Sequence, residues 1–195
     1  MFYTIIVYLV KVFMCFVFRI RVQGQENVPK SGGGILAVNH KSNWDVVVAG
    51  ISCGRHLRFM AKAELFENKL FGGLIKRLGA FPVHRGAGDI SAIKGALSIL
   101  KQHKMMLMFP EGKRVRDESK VVHAKTGVAM LAHKAQVPVI PAYISGEYKW
   151  MHKIVITYGK PITFEEFYKQ KLDGEKLQEL SDGILRTMRS YKDDK

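Results

Sequence analysis

From residue 34 onward, short apolar runs alternate with amphipathic segments, and this alternation limits the fold more than any other feature. GILAV (34–38), LRFMA (57–61), AFPV (80–83), MMLMF (105–109), PVIPAYIS (138–145) and KIVITYG (153–159) each have the length and apolar content of a buried strand. Between them the period changes. Asn43 is placed to cap a helix running to about Cys53, and residues 63–77 have an amphipathic helical pattern. Asp89 is placed to cap a helix that puts Ile90, Ile93, Leu97 and Leu100 on one face. Residues 124–135 also read as helical, and a last helix over about 174–191 aligns Leu177, Leu180, Ile184, Met188 and Tyr191. Strands alternating with helices predict an α/β fold, a mostly parallel or mixed sheet flanked by helices. No repeat or long linker divides residues 22–195, so we read them as one domain. In such sheets, chemistry gathers in loops beyond the carboxyl ends of the strands.

The N-terminus is a separate element. Residues 2–18, FYTIIVYLVKVFMCFVF, are almost wholly apolar. A signal peptide is not expected, because no basic region precedes the run and no small-residue cleavage site follows it. A spanning helix fits poorly: seventeen residues rise about 25 Å against about 30 Å of hydrocarbon, with Lys11 near the middle. Thr4, Tyr8, Lys11, Cys15 and Arg19 recur at spacings of 4, 3, 4 and 4, which makes one narrow polar stripe. Such a helix can lie in one leaflet, or lay its polar stripe on the rest of the protein. We therefore expect residues 1–21 to form a membrane-associated helix, with Arg19 and Arg21 at headgroups on the cytoplasmic face.

The charge points the same way. The net charge is +14, yet residues 164–195 hold seven Lys+Arg and eight Asp+Glu, so the excess lies in the preceding body. That field suits an anionic partner: nucleic acid, anionic lipid or a phosphorylated substrate. Nothing in the chain matches a nucleic-acid motif, and no Lys/Arg block of five or more occurs. Two cysteines, Cys15 and Cys53, cannot build a disulfide framework and read as reduced thiols.

Four segments at or near strand ends carry the chemistry. After the strand 34–38 comes Asn39-His40-Lys41-Ser42-Asn43-Trp44-Asp45. With His40 in the turn and Asp45 in the first helical turn, the carboxylate can reach back to Nδ1–H, leaving Nε2 as a base. The helix start also favours an anion at Asp45. Gly79 through Gly86 puts Arg85 past a strand end, where it could bind an anion. Phe109-Pro110-Glu111-Gly112-Lys113-Arg114 sets two cations on a Gly-containing turn, which suits phosphate. Glu111 could accept from a substrate hydroxyl or hold Arg114. Val137-Pro138-Val139-Ile140-Pro141 is apolar and rigid, and suits the lining of an acyl or pantetheine channel.

In order and spacing, these four segments resemble the motifs of the glycerolipid acyltransferases, specifically the 1-acylglycerol-3-phosphate acyltransferases, across roughly residues 34–145. Lys113 stands where the family usually has threonine, which puts a cation in place of a hydroxyl. The resemblance implies transfer of a fatty acyl group from an acyl-CoA or acyl-carrier protein thioester to the sn-2 hydroxyl of lysophosphatidic acid. It implies His40 and Asp45 as catalytic residues, and Arg85, Glu111, Gly112, Lys113 and Arg114 as substrate-binding residues. It implies no metal and no cofactor beyond the acyl donor, and a membrane lipid surface as partner. Other chemistries lack support: there is no Gly-x-Ser-x-Gly elbow, no His-Glu-x-x-His and no phosphate loop after Gly32-Gly33-Gly34. An acyltransferase for another lysolipid, or a non-catalytic basic membrane-surface protein, remains an alternative.

Overall fold

A computed structural model describes residues 2–84, 90–115, 117 and 122–193. Seven strands among them form one sheet: β1 (Arg19–Gln23), β2 (Gly34–Val38), β3 (Leu57–Lys62), β4 (Ala80–Val83), β5 (Met105–Met108), β6 (Val139–Ser145) and β7 (Lys153–Tyr158). The order is β1-β7-β6-β2-β5-β3-β4. Every neighbouring pair is parallel except β6 with β7, so the sheet is mixed.

The helices are α1 (Phe2–Val17), α2 (Trp44–Ser52), α3 (Lys69–Arg77), α4 (Ile90–Lys101), α5 (Gly127–Ala135) and α6 (Gly174–Ser190). Alternate strand residues feed two apolar cores, as the two-residue period of a strand requires. Leu36, Val38, Met105 and Leu107 pack with Met14 and Phe18 from the N-terminal segment and Val48 and Ala49 of α2. Ile35, Ala37 and Met106 pack with Ala96 and Leu100 of α4, Val128 and Leu131 of α5, and Ile184 of α6. The result is three layers, with α1 and α2 on one face and α4, α5 and α6 on the other.

Several local expectations change. The boundary drawn at residue 21 cuts through β1, which the sequence reading missed. RIRVQ has little apolar signal of its own. It becomes a strand by pairing with β7, Arg19 opposite Lys153 and Ile20 opposite Ile154. The helical stretch expected over 63–77 divides into a 3-10 turn, Ala63–Phe66, and α3. Asn68 causes the break: its side chain accepts from the Phe71 N–H at 2.9 Å and starts the second helix. Asn43 stands at the start of α2 but makes no capping hydrogen bond, because its backbone is already helical. α5 starts at Gly127, three residues later than the reading from 124. Asp89, expected to cap α4, lies outside the described residues.

α1 settles how its stripes are used. Val7, Val10, Met14 and Val17 face the core, and Tyr3 stacks on His56 at 3.7 Å. The polar stripe of Thr4, Tyr8, Lys11 and Cys15 is exposed and does not lie on the protein. A second apolar stripe, Ile5, Leu9, Val12, Phe13 and Phe16, is also exposed, with Phe16 at 71%. At about 100° per residue, the inward, polar and outer apolar stripes each take about a third of the circumference. Among the described residues, no helix is long and apolar enough to cross a membrane.

Candidate active site

The turn between β2 and α2 carries His40. Its Nδ1 lies 3.0 Å from Asp45 Oδ2. Asp45 is fully buried and saturated with donors. Oδ2 also accepts from the backbone N–H groups of Lys41 and Ser42, each at 2.7 Å, and Oδ1 accepts from the Tyr148 hydroxyl at 2.7 Å. A buried carboxylate needs such partners to offset its lost hydration. Burial, then the charge of Asp45, pushes the Tyr148 phenol far above its usual range, so Tyr148 stays a donor through alkaline pH. Asp45 therefore orients the imidazole and is itself held in place from three residues.

The His40 ring stacks on Phe109 at 3.9 Å and 17°. Phe109 was expected inside the strand. It instead leaves β5, which ends at Met108, and covers the imidazole. The His40 backbone is held at both ends: its N–H donates to Glu111 Oε2 at 2.8 Å, and its C=O accepts from the Val115 N–H at 2.7 Å. The preceding Asn39 is buried and pairs with the backbone of Ile144 on β6 in both directions, at 3.0 and 2.7 Å. Each of these contacts removes a freedom the His40 turn would otherwise have.

Glu111 is thus not where the sequence reading put it. It is buried, grips the His40 backbone, and meets Arg189 of α6 at 3.5 Å rather than Arg114. Burial raises its pKa; the His40 N–H and Arg189 act against that rise. Gly112 follows with φ +66, a left-handed turn, and a Cβ there would come within 2.8 Å of the Lys125 side chain. Both features favour glycine. Lys113 and Arg114 are exposed, and Arg114 Nη1 donates to Asn43 Oδ1 at 3.3 Å. Arg85 lies outside the described residues.

His40, Asn43, Lys113, Arg114 and Lys125 are among the residues that line a cleft of about 1200 Å³. The rest of the lining is mostly apolar, including Phe59, Met60, Leu65, Val83 and Leu107, with Lys62 and Asp117 as further charged groups. The block Val137 through Pro141, expected to line an acyl channel, is not among the residues that line this cleft. Val139 and Ile140 are fully buried where β6 pairs with β2 at the sheet centre. The cleft's apolar wall comes instead from β3, β5 and their flanks. Cys53 plays no part: burial pushes its thiol up to about 11, so it stays protonated.

Three residues that support the site have no signal in the sequence. Tyr148 and Arg189 stand 103 and 78 residues from Asp45 and Glu111, and only the fold brings them together. Lys125 lies in a stretch whose sequence pattern is merely helical. Its backbone N–H donates to the Pro110 carbonyl at 2.7 Å, which closes the loop that carries the cations.

Known proteins resemble this chain. The family model described as Acyltransferase matches residues 19–145. The 1-acyl-sn-glycerol-3-phosphate acyltransferase of Bacillus subtilis (strain 168) is 30% identical over 154 residues, 76% of each chain. A protein of the same name from Streptococcus pneumoniae (strain ATCC BAA-255 / R6) is 32% identical over 147 residues, 72% of this chain and 54% of that one. Among solved structures, the chain is similar to the 1-acyl-sn-glycerophosphate (LPA) acyltransferase PlsC from Thermotoga maritima. The TM-score is 0.67 at 25% identity, over 88% of this chain and 71% of that one.

Proposed function

The chain belongs to the acyltransferase family, and from that premise we propose that it transfers a fatty acyl group from a thioester to the sn-2 hydroxyl of lysophosphatidic acid, giving phosphatidic acid. The observation that carries this reading is the His40–Asp45 pair at 3.0 Å, with His40 lining a cleft that holds both cationic and apolar side chains. A substrate with a phosphate, a hydroxyl and a fatty chain would use both kinds of group.

With Nδ1–H donating to Asp45, Nε2 is the basic nitrogen. His40 takes the sn-2 hydroxyl proton as that oxygen attacks the thioester carbonyl. The tetrahedral intermediate then collapses, the carbon–sulfur bond breaks, and the imidazolium returns the proton to the thiolate. The acceptor oxygen is itself the nucleophile, so no acyl-enzyme forms. Arg114 and Lys113, with Arg85 by family resemblance, hold the acceptor phosphate. The donor is an acyl-CoA or an acyl-carrier protein, both anionic, and the +14 charge favours either.

The same reading includes a lipid surface on the cytoplasmic face. The outer apolar stripe of α1, beside an exposed polar stripe with Lys11, suits a helix lying in one leaflet. Assay of a lysolipid panel with both thioester donors tests the function. Transfer to lysophosphatidic acid supports it; transfer only to other lysolipids, or none with either donor, overturns it.

A further inference from the structure

The last helix, α6, touches the catalytic turn at one charged point. Arg189 Nη2 lies 3.5 Å from Glu111 Oε1, while Glu111 Oε2 accepts from the His40 backbone N–H at 2.8 Å. One buried carboxylate therefore joins a surface-side guanidinium to the catalytic backbone. Two more contacts fix the helix to the far end of the same loop. Asp182 Oδ1 accepts from the Ala124 N–H at 2.8 Å, and Gln178 donates to the Ala124 carbonyl at 2.8 Å. Since the Lys125 N–H closes on the Pro110 carbonyl, α6 holds both ends of the segment from Pro110 to Lys125.

We propose that Arg189 is a positioning residue for acyl transfer: its contact with Glu111 holds the carboxylate that fixes the His40 backbone, and so sets the imidazole against the acceptor hydroxyl. This rests on the functional reading above. The alternative, that Arg189 is a solvated arginine, fits poorly with its place. Asn39, His40, Glu111, Tyr143, Arg189 and Lys192 line a cavity of about 40 Å³, large enough for little more than water. Glu111 also borders a second pocket with Lys113, His123 and Lys125. Arg189 brings its charge within ion-pair distance of Glu111, at 3.5 Å.

The pH consequence has a definite sign. Burial raises the Glu111 pKa and Arg189 opposes the rise. Removing the guanidinium raises it further, so Glu111 takes up a proton at higher pH than in the parent. The proton neutralises the carboxylate and weakens its grip on the His40 N–H. Activity then fades earlier as the pH falls.

The test compares Arg189→Met, Arg189→Lys and, as a control on the exposed side of the same helix, Arg186→Met. In Arg189→Met, kcat should fall about tenfold or more with KM for lysophosphatidic acid within about twofold, because misplacing a catalytic group is costly without contact to substrate. The acid limb of kcat should move to higher pH. Arg189→Lys should recover most of the loss, and Arg186→Met should match the parent. Parent-like kcat and acid limb in Arg189→Met, no rescue by lysine, or an equal loss in Arg186→Met would each overturn the proposal. If Arg189→Met does not fold, Arg189→Gln carries the same readouts. Isotope-edited NMR of the Glu111 carboxyl adds one that needs no turnover: an upward midpoint supports the coupling, an unchanged one refutes it. A parent chain that fails to acylate lysophosphatidic acid would sink the functional reading instead, so the two failures are distinct.

Discussion

Two parts of the cleft lining, around His40 and around Lys113 and Arg114, are held differently. On the His40 side, Asp45 is fully buried with four donors, and Asn39, Glu111 and Val115 lock the backbone. On the cation side, Lys113 and Arg114 are exposed, and Arg114 makes one side-chain hydrogen bond at 3.3 Å to Asn43. Proton transfer needs a fixed geometry before the substrate arrives. Phosphate binding does not, since mobile cations can close on a charged ligand. The rigid side should therefore govern kcat, and the open side KM.

Asp45→Asn attacks the rigid side hardest. It removes the acceptor for Nδ1–H and permits the wrong tautomer, so kcat should fall on the order of 10²- to 10⁴-fold with KM little changed, as steady-state kinetics would report. A rise in KM with kcat preserved would reverse the assignment of the two sides. Arg114→Ala attacks the open side. A hydrogen bond to a charged group contributes about 1.5–3 kcal/mol, so KM for lysophosphatidic acid should rise roughly tenfold or more while kcat stays near the parent value. Tyr148→Phe removes one of Asp45's donors; a kcat loss of about five- to tenfold at saturating acceptor would fit the cost of one lost hydrogen bond. Lys113→Thr restores the residue usual in the family. Because Lys113 is solvated, KM should rise only about two- to fivefold, and the effect should shrink in high salt. A large loss of kcat there would move Lys113 into the chemistry.

The same contrast marks what the sequence could reveal. The His40–Asp45 pair was legible because five residues of strand-to-helix turn set its geometry almost alone. The α/β class was legible because buried strands and amphipathic helices have different periods. β1 was not, because its pairing partner lies more than 130 residues away, and neither was the role of Glu111. A motif names residue types at a spacing, but the orientation of a side chain within its loop depends on tertiary neighbours. Glu111 turned inward because the His40 N–H and Arg189 await it there. Val137 through Pro141 read as a channel wall for the same reason: an apolar run does not say which apolar surface it faces.

The central claim is that His40 acts as the base on a preformed turn. Single-turnover acyl transfer to lysophosphatidic acid by His40→Ala, with acceptor affinity measured in parallel, tests it most directly. The account predicts a transfer rate on the order of 10³-fold below the parent with acceptor affinity preserved. Near-parent transfer by His40→Ala would contradict it.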